Sequence, residues 1–228
     1  ERVLLTRSGH VKNSSLVPLL LASDSETHES VWTILSLGLG ELKKFVDTDD
    51  TARANLKKLA ARISNAQFDR LGWSQKDGEP ENDVKLRPLI IGMQIYGENE
   101  AILQEAVSRF DSVDTPEALD PELRGVIMAG KVKQGLSEGE LDRLIKQYVA
   151  TSSSEVREDI LAAITSTEDE VQIKKLLGYI TDTSVVRPQD AAHWYVNLLR
   201  SRFARDDAWK WLQENWEWVV RTFGGDKS

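Results

Sequence analysis

The stretch Arg205-Asp206-Asp207-Ala208-Trp209-Lys210-Trp211-Leu212-Gln213-Glu214-Asn215-Trp216-Glu217-Trp218-Val219-Val220-Arg221-Thr222-Phe223 decides how this chain is read. At about 100° per residue, Trp209, Leu212, Trp216, Val219, Val220 and Phe223 fall on one apolar band, which predicts a single helix from about Arg205 to Phe223. Trp211 and Trp218 fall on nearly the opposite side, and charge is confined to the narrow arc of Lys210, Glu214, Glu217 and Arg221. An ordinary surface helix hides one stripe, whereas this one needs cover on two sides. Helices stacked in an α-solenoid meet that demand, because each touches the helix before it and the helix after it. Five of the seven tryptophans lie between Trp194 and Trp218, so the largest apolar side chains gather at this end.

Outward from this stretch, almost everything reads as helix. Asn13 or Ser14 can cap a short helix over Leu16, Leu19 and Leu20. Val31, Ile34, Leu35, Leu39, Leu42 and Phe45 predict a helix over Glu29–Phe45, weakened or broken at Gly38 and Gly40. A long helix is predicted over Asp50–Leu71, ending in a Gly72-Trp73 turn, followed by a loop over Ser74–Asp83. Further helices are predicted at about Asn82–Tyr96, Glu98–Asp111, Pro121–Gln134, Glu138–Ala150, Ser154–Ser166, Glu168–Ile180 and Pro188–Phe203. Ser137-x-x-Glu140, Ser152-x-x-Glu155 and Thr167-x-x-Glu170 have capping-box spacing. The six prolines are read as lying at helix starts or in turns, with Pro121 and Pro188 each in a first turn, where the missing N–H costs nothing. Roughly a dozen helices of ~10–20 residues with short connections make an all-α antiparallel helix array. No fixed repeat is visible, so an irregular helical bundle is the alternative to a regular solenoid.

Composition narrows the functional classes. The chain has 228 residues, 40% hydrophobic and 29% charged, which is soluble and globular in character, and no window approaches the ~20 apolar residues of a membrane span. A net charge of -8 argues against a surface that neutralises nucleic-acid phosphates. With no cysteine, the chain has no disulfide, thiolate metal site or Cys nucleophile, and a reducing cytoplasm fits that composition. The opening Glu1-Arg2 lacks a methionine, and the expectation is a single helical domain, 1–228, cut from a larger chain.

The search for chemistry finds no catalytic, metal or cofactor-binding residue. His28-Glu29-Ser30-Val31-Trp32 begins like a helical zinc motif but places Trp32 where the second histidine must stand. His193 lies on a polar helix side beside Asn197 and Arg200, and is read as an exposed surface histidine. Gly38-Leu39-Gly40 follows no strand and lacks the rest of a dinucleotide fingerprint. Gly224-Gly225-Asp226-Lys227-Ser228 follows a helix rather than preceding one, so a helix stop with Gly224 left-handed explains it better than a phosphate loop. The acidic groups Asp49-Asp50, Glu79 with Glu81, Glu168-Asp169-Glu170 and Asp206-Asp207 are read as capping groups, favoured by the helix dipole. Arg200, Arg202 and Arg205 cluster near one turn, a solvated face with a minority reading as partners of a carboxylate elsewhere.

The tail, Arg187-Pro188-Gln189-Asp190 with His193-Trp194-Tyr195, then Ala208-Trp209-Lys210-Trp211, Glu214-Asn215-Trp216-Glu217-Trp218 and Thr222-Phe223-Gly224-Gly225, resembles the C-terminal helical domain of the zinc aminopeptidase N family. Arg70-Leu71-Gly72-Trp73, Leu86-Arg87, Ala106–Phe110, Leu119-Asp120-Pro121-Glu122-Leu123-Arg124 and the opening Glu1–Gly9 carry the same resemblance, which covers nearly the whole chain. It implies a HEAT-like α-solenoid curved into a bowl, which closes over a zinc-containing catalytic domain of the same parent chain and encloses the peptide substrate. The family's zinc-binding HExxH motif and its Gly-x-Met-Glu-Asn loop do not occur here, so no catalytic or metal residue carries over. The resemblance also implies a chamber wall that can offer basic side chains to the peptide, contacts it maps onto no numbered position, so that Arg200, Arg202 and Arg205 are guesses at them, and further helices beyond the tail. The implied function is a non-catalytic lid of an enzyme that removes N-terminal residues from peptides. A stand-alone α-solenoid scaffold for protein partners is the alternative, and an unrecognised helical enzyme has no convergent residue cluster to support it.

Overall fold

Asp49 shows how the longest of the described helices begins. Its carboxylate accepts a hydrogen bond from the Ala52 backbone N–H at 2.9 Å, satisfying one of the donors that a helix start leaves free. The helix that follows, Asp50–Leu71, stops where Gly72 takes φ 61°, a conformation that glycine adopts without a Cβ penalty. The computed structural model describes residues 1–23 and 25–224, and these form α-helices joined by turns and short loops, with no strand among the described residues. The chain divides into two compact units, the first Glu1–Glu105 and the second from Ala106 onward.

The first unit contains α1 (Arg2–Arg7), α2 (Leu16–Leu21), α3 (Glu29–Phe45), α4 (Asp50–Leu71), α5 (Glu81–Tyr96) and the opening half of α6 (Glu100–Asp111). α4 and α5 run antiparallel. Arg70 pairs with Asp83 at one end, the Gln94 amide donates to the Ala61 carbonyl, and Lys57 meets Glu98 at the other end. They pack so closely that a Cβ on Gly97 would lie 2.6 Å from that of Ala61. Trp32, Ile63, Leu86 and Ile90 are fully buried in the core between α3, α4 and α5.

Three expectations change here. α3 runs unbroken through Gly38 and Gly40, its face of Trp32, Leu35, Gly38, Leu39 and Leu42 buried, so that packing outweighs the low helix propensity of two glycines. Pro88 lies inside α5 rather than at a start or turn; burial of Leu86, Ile90 and Ile91 on either side of it offsets the lost backbone hydrogen bond. Neither Asn13 nor Ser14 caps α2; a 3-10 turn over Asn13–Ser15 leads into it without a side-chain cap.

The second unit continues with α7 (Arg124–Gln134), α8 (Glu138–Ala150), α9 (Ser154–Ile164), α10 (Glu170–Tyr179), α11 (Pro188–Arg200), α12 (Arg205–Glu214) and α13 (Trp216–Phe223). α9 packs on α7 and α8, and the series α10, α11, α12, α13 packs neighbour on neighbour. Ser137 and Glu140 form the expected capping box on α8, and Pro188 opens α11. The other two caps shift. Ser153, not Ser152, receives the Val156 N–H, and Asp169, not Thr167, receives the Gln172 N–H, while the Thr167 hydroxyl donates to the Gln172 side chain. Pro121 precedes its helix: Leu123 and Arg124 N–H groups both bond the Asp120 carbonyl, and α7 begins only at Arg124.

The single helix expected over Arg205–Phe223 is two helices. Asn215 takes φ -110°, ψ 19°, and both its backbone N–H and its side-chain amide donate to the Trp211 carbonyl. An asparagine that competes locally for backbone partners ends one helix and lets the next start with a new phase. Gly224 follows α13 with φ -77°, so the left-handed stop does not form; the rest of that motif, Gly225–Ser228, lies outside the described residues.

Candidate interaction surface

The inner side of α11–α13 is a chain of aromatic rings. Trp194, fully buried on α11, donates its indole N–H to the Tyr148 hydroxyl of α8 at 2.8 Å, and the two rings stand edge to face with centroids 5.1 Å apart. Next along the helix, Tyr195 meets Trp211 of α12 at 5.6 Å, Trp211 meets Trp218 of α13 at 6.0 Å, and Trp218 meets Phe223 at 5.9 Å. Burial pushes the Tyr195 hydroxyl pKa up, and that hydroxyl has no hydrogen-bond partner. Trp211 and Trp218, which the wheel set apart from the main apolar band, are thus the half-buried members that join α11, α12 and α13.

The main band has the opposite fate. Trp209 is 56% exposed, Trp216 57%, Val220 50% and Phe223 40%, and only Leu212 and Val219 are partly covered. A run of large apolar side chains at this spacing on the outside of two successive helices is a surface suited to receive another helix. Charged groups edge it: Lys210 lies 3.8 Å from Glu214, and Glu217 and Arg221 are exposed on α13. In the first unit, α3 exposes a smaller apolar stripe, Val31, Ile34, Leu37 and Phe45.

Charge inside each unit is paired rather than poised for chemistry. Arg87 and Glu79 form an ion pair with both side chains almost wholly buried, and the guanidinium holds the Glu79 carboxyl below its usual range. Glu79 is therefore a clasp for the loop after α4, not the capping group expected from its position. Arg124, buried at the start of α7, donates to Asp159 of α9 and to the Pro116 carbonyl. Burial pushes Asp159 up, only partly opposed by Arg124. Lys131 bridges Asp111 and Glu140, 2.6 Å from the latter. Burial pushes the Glu140 carboxyl up, but hydrogen bonds from Lys131 and Ser137 outweigh it and hold it at about 2.

His28 is an exposed residue just before α3, and Trp32, four residues on, is fully buried with its N–H on the Glu26 carbonyl. His193 is exposed on α11, as expected, with Nδ1 3.3 Å from Glu158 of α9, a neighbour that local spacing could not show. Arg200, Arg202 and Arg205 are exposed, and Arg202 lies over the Phe203 ring. Among the described residues no group of three or more His, Cys, Asp or Glu side chains could hold a metal ion, and no helix is long and apolar enough to cross a membrane.

The sequence profile of the ERAP1-like C-terminal domain matches residues 3–228. The chain is 34% identical over 224 residues to aminopeptidase N of Lactobacillus helveticus, covering 98% of this chain and 26% of that protein. It is 33% identical over 230 residues to aminopeptidase N of Lactococcus lactis subsp. lactis, covering all of this chain and 27% of that one. Aminopeptidase M1 of Arabidopsis thaliana is 27% identical over 224 residues, covering 93% of this chain and 25% of the plant protein. The chain thus spans about a quarter of the length of the curated relatives it matches. With a family profile running from residue 3 to residue 228 over an all-α structure, the chain belongs to the ERAP1-like C-terminal domain family found in aminopeptidase N proteins.

Proposed function

We propose that this chain is the non-catalytic C-terminal domain of a zinc metallo-aminopeptidase that removes N-terminal residues from peptides. In this reading residues 1–228 form one helical domain of HEAT-like, bowl-shaped architecture. It encloses the peptide chamber and gates access to the catalytic domain of the same parent chain. The observation that carries the reading is the family match across the chain, with relatives named aminopeptidase N of which the chain covers about a quarter. A helical wall of this kind serves hydrolysis by excluding bulk water and folded proteins while admitting short peptides. The described residues do not fit the zinc: His10 follows α1, His28 precedes α3 and His193 lies on α11, and among the described residues no group of three ligands gathers beside any of them. Zinc ligands and catalytic groups are assigned to the rest of the parent chain. Its partners are that catalytic domain and the peptide, with no nucleic acid or membrane, and a cytoplasmic setting fits the cysteine-free composition.

The isolated chain is expected to bind no stoichiometric zinc and to leave an aminoacyl-nitroanilide intact, while the full-length parent hydrolyses it in a chelator-sensitive way. Robust chelator-sensitive hydrolysis by the pure 228-residue chain would overturn the reading. A parent reading frame without an HExxH motif upstream would favour a stand-alone scaffold instead.

A further inference from the structure

We propose that Asp77-Gly78, the one Asp-Gly step in the chain, is a site of spontaneous backbone isomerisation to isoaspartate, and that the product releases the clasp between Glu79 and Arg87. The Glu79 N–H bonds the Lys76 carbonyl at 3.1 Å. Gly78 takes φ 71° and Asp77 has no positive φ, so residues 76–79 form a type II turn with glycine where that turn requires it. Both central residues are exposed. Among the described residues the Asp77 carboxylate and the Gly78 N–H have no hydrogen-bond partner, and a Cβ on Gly78 would meet nothing within 4 Å. The two reacting groups are thus neighbours along the chain that nothing holds apart or shields, and their reaction is intramolecular. Asp111-Ser112 is the contrast: Lys131 donates to the Asp111 carboxylate, and the Ser112 N–H is engaged by the Ser108 carbonyl.

In the first step the Gly78 nitrogen attacks Cγ of the protonated Asp77 carboxyl. An N–Cγ bond forms, the carboxyl O–H group leaves with the N–H proton as water, and a five-membered succinimide remains. Water then adds to one of the two imide carbonyls and breaks its C–N bond. Opening at Cγ restores aspartate. Opening at the main-chain carbonyl carbon of Asp77 leaves a free α-carboxylate and a chain that runs through Cγ. One water is released and one taken up, so no oxidant or other co-reactant is needed and the mass is unchanged. The product carries an extra methylene in the main chain two residues before Glu79. That shift acts on a tight contact, since the Glu79 and Arg87 side chains are only 5% and 3% exposed. Arg87 Nε already lacks a partner, so withdrawing Glu79 leaves a buried guanidinium with no acid to offset it.

The test ages the 228-residue chain at neutral pH and follows it by peptide mapping. An isoaspartyl peptide keeps the mass of its parent, changes retention time, and resists an endoproteinase that cuts before aspartate. Isomerisation is expected to be at least about tenfold faster at Asp77 than at Asp111. Asp77→Glu, which would have to close a six-membered ring, is expected to slow the reaction at that position by at least about tenfold. Hydrogen exchange over residues 72–80 is expected to quicken in proportion to the isoaspartate present, while aged Asp77→Glu exchanges like the fresh chain. A rate at Asp77 no higher than at Asp111, or undiminished in Asp77→Glu, overturns the isomerisation. Unchanged exchange in molecules that carry isoaspartate overturns the release of the clasp.

Discussion

Trp194 and Trp209 are the same residue type on adjacent helices of the second unit, with opposite surroundings. Trp194 on α11 has no solvent exposure and hydrogen-bonds Tyr148; Trp209 on α12 is more than half exposed. The difference lies in neighbours rather than chemistry. α8 and α10 cover the inner side of α11, whereas nothing in the described chain lies against the outer side of α12. A count of tryptophans therefore measures how much surface must be covered, while only the packing tells which face is already covered. Unfolding experiments on the 228-residue chain turn that contrast into numbers.

The largest effect is expected for Trp194→Ala, which opens a cavity and leaves the Tyr148 hydroxyl without its donor; about 4 kcal/mol of stability should be lost. A fall in the urea midpoint at unchanged slope checks it. Trp211→Ala should lose less, about 2–3 kcal/mol, because the ring is only half-buried although it contacts both Tyr195 and Trp218. A Trp211 variant as mild as an outer-face variant would mean that α12 and α13 do not depend on the inner ring chain.

Acid should act through the paired carboxylates inside the units rather than through the outer aromatic face. Glu140 titrates at about 2 in the folded chain against 4.5 for an ordinary glutamate. A depressed folded value means stabilisation that is fully present above the unfolded pKa and is lost as pH falls from about 5 towards 2. Allowing for solvent screening of a side chain still 28% exposed, the share lost is about 2 kcal/mol. Glu140→Gln should accordingly be destabilised at pH 6 yet approach the unmodified chain near pH 2.5. An equal gap at both pH values would mean the carboxylate is not held down by Lys131 and Ser137.

Much of this architecture was legible wherever local signals agreed. The spans of α4 and α8 follow from helical periodicity joined to a capping residue and a terminal glycine or to a capping box, and that of α3 from periodicity alone. The break at Asn215 was hidden because the apolar period on either side fits one helix, and only the side-chain bond to Trp211 reveals the change of phase. Pro88 inside α5 reads locally as a helix boundary, and tertiary burial overrides it. Glu79 with Arg87 and His193 with Glu158 join residues across a loop or between helices, which periodicity does not encode. For the surface itself, the wheel separated the two sets of residues correctly, and the structure covers one of them. It could not tell which side is covered: the rings at Trp211 and Trp218 are half-buried, whereas Trp209, Trp216, Val220 and Phe223 are exposed.

The smallest effect is the most discriminating. Trp209→Gln and Trp216→Gln replace large apolar groups that water already reaches, so in the 228-residue chain each should change stability by no more than about 0.5 kcal/mol. Glutamine keeps good helix propensity, so α12 and α13 should hold their form and the aromatic near-ultraviolet signal of the inner rings should persist. The outer tryptophans should also dominate the solvent-exposed fluorescence, and removing both should shift the remaining emission to the blue. A loss of about 2 kcal/mol or more from either change would mean that the outer rings hold contacts as buried as those of Trp194, and the contrast between Trp194 and Trp209 would fail.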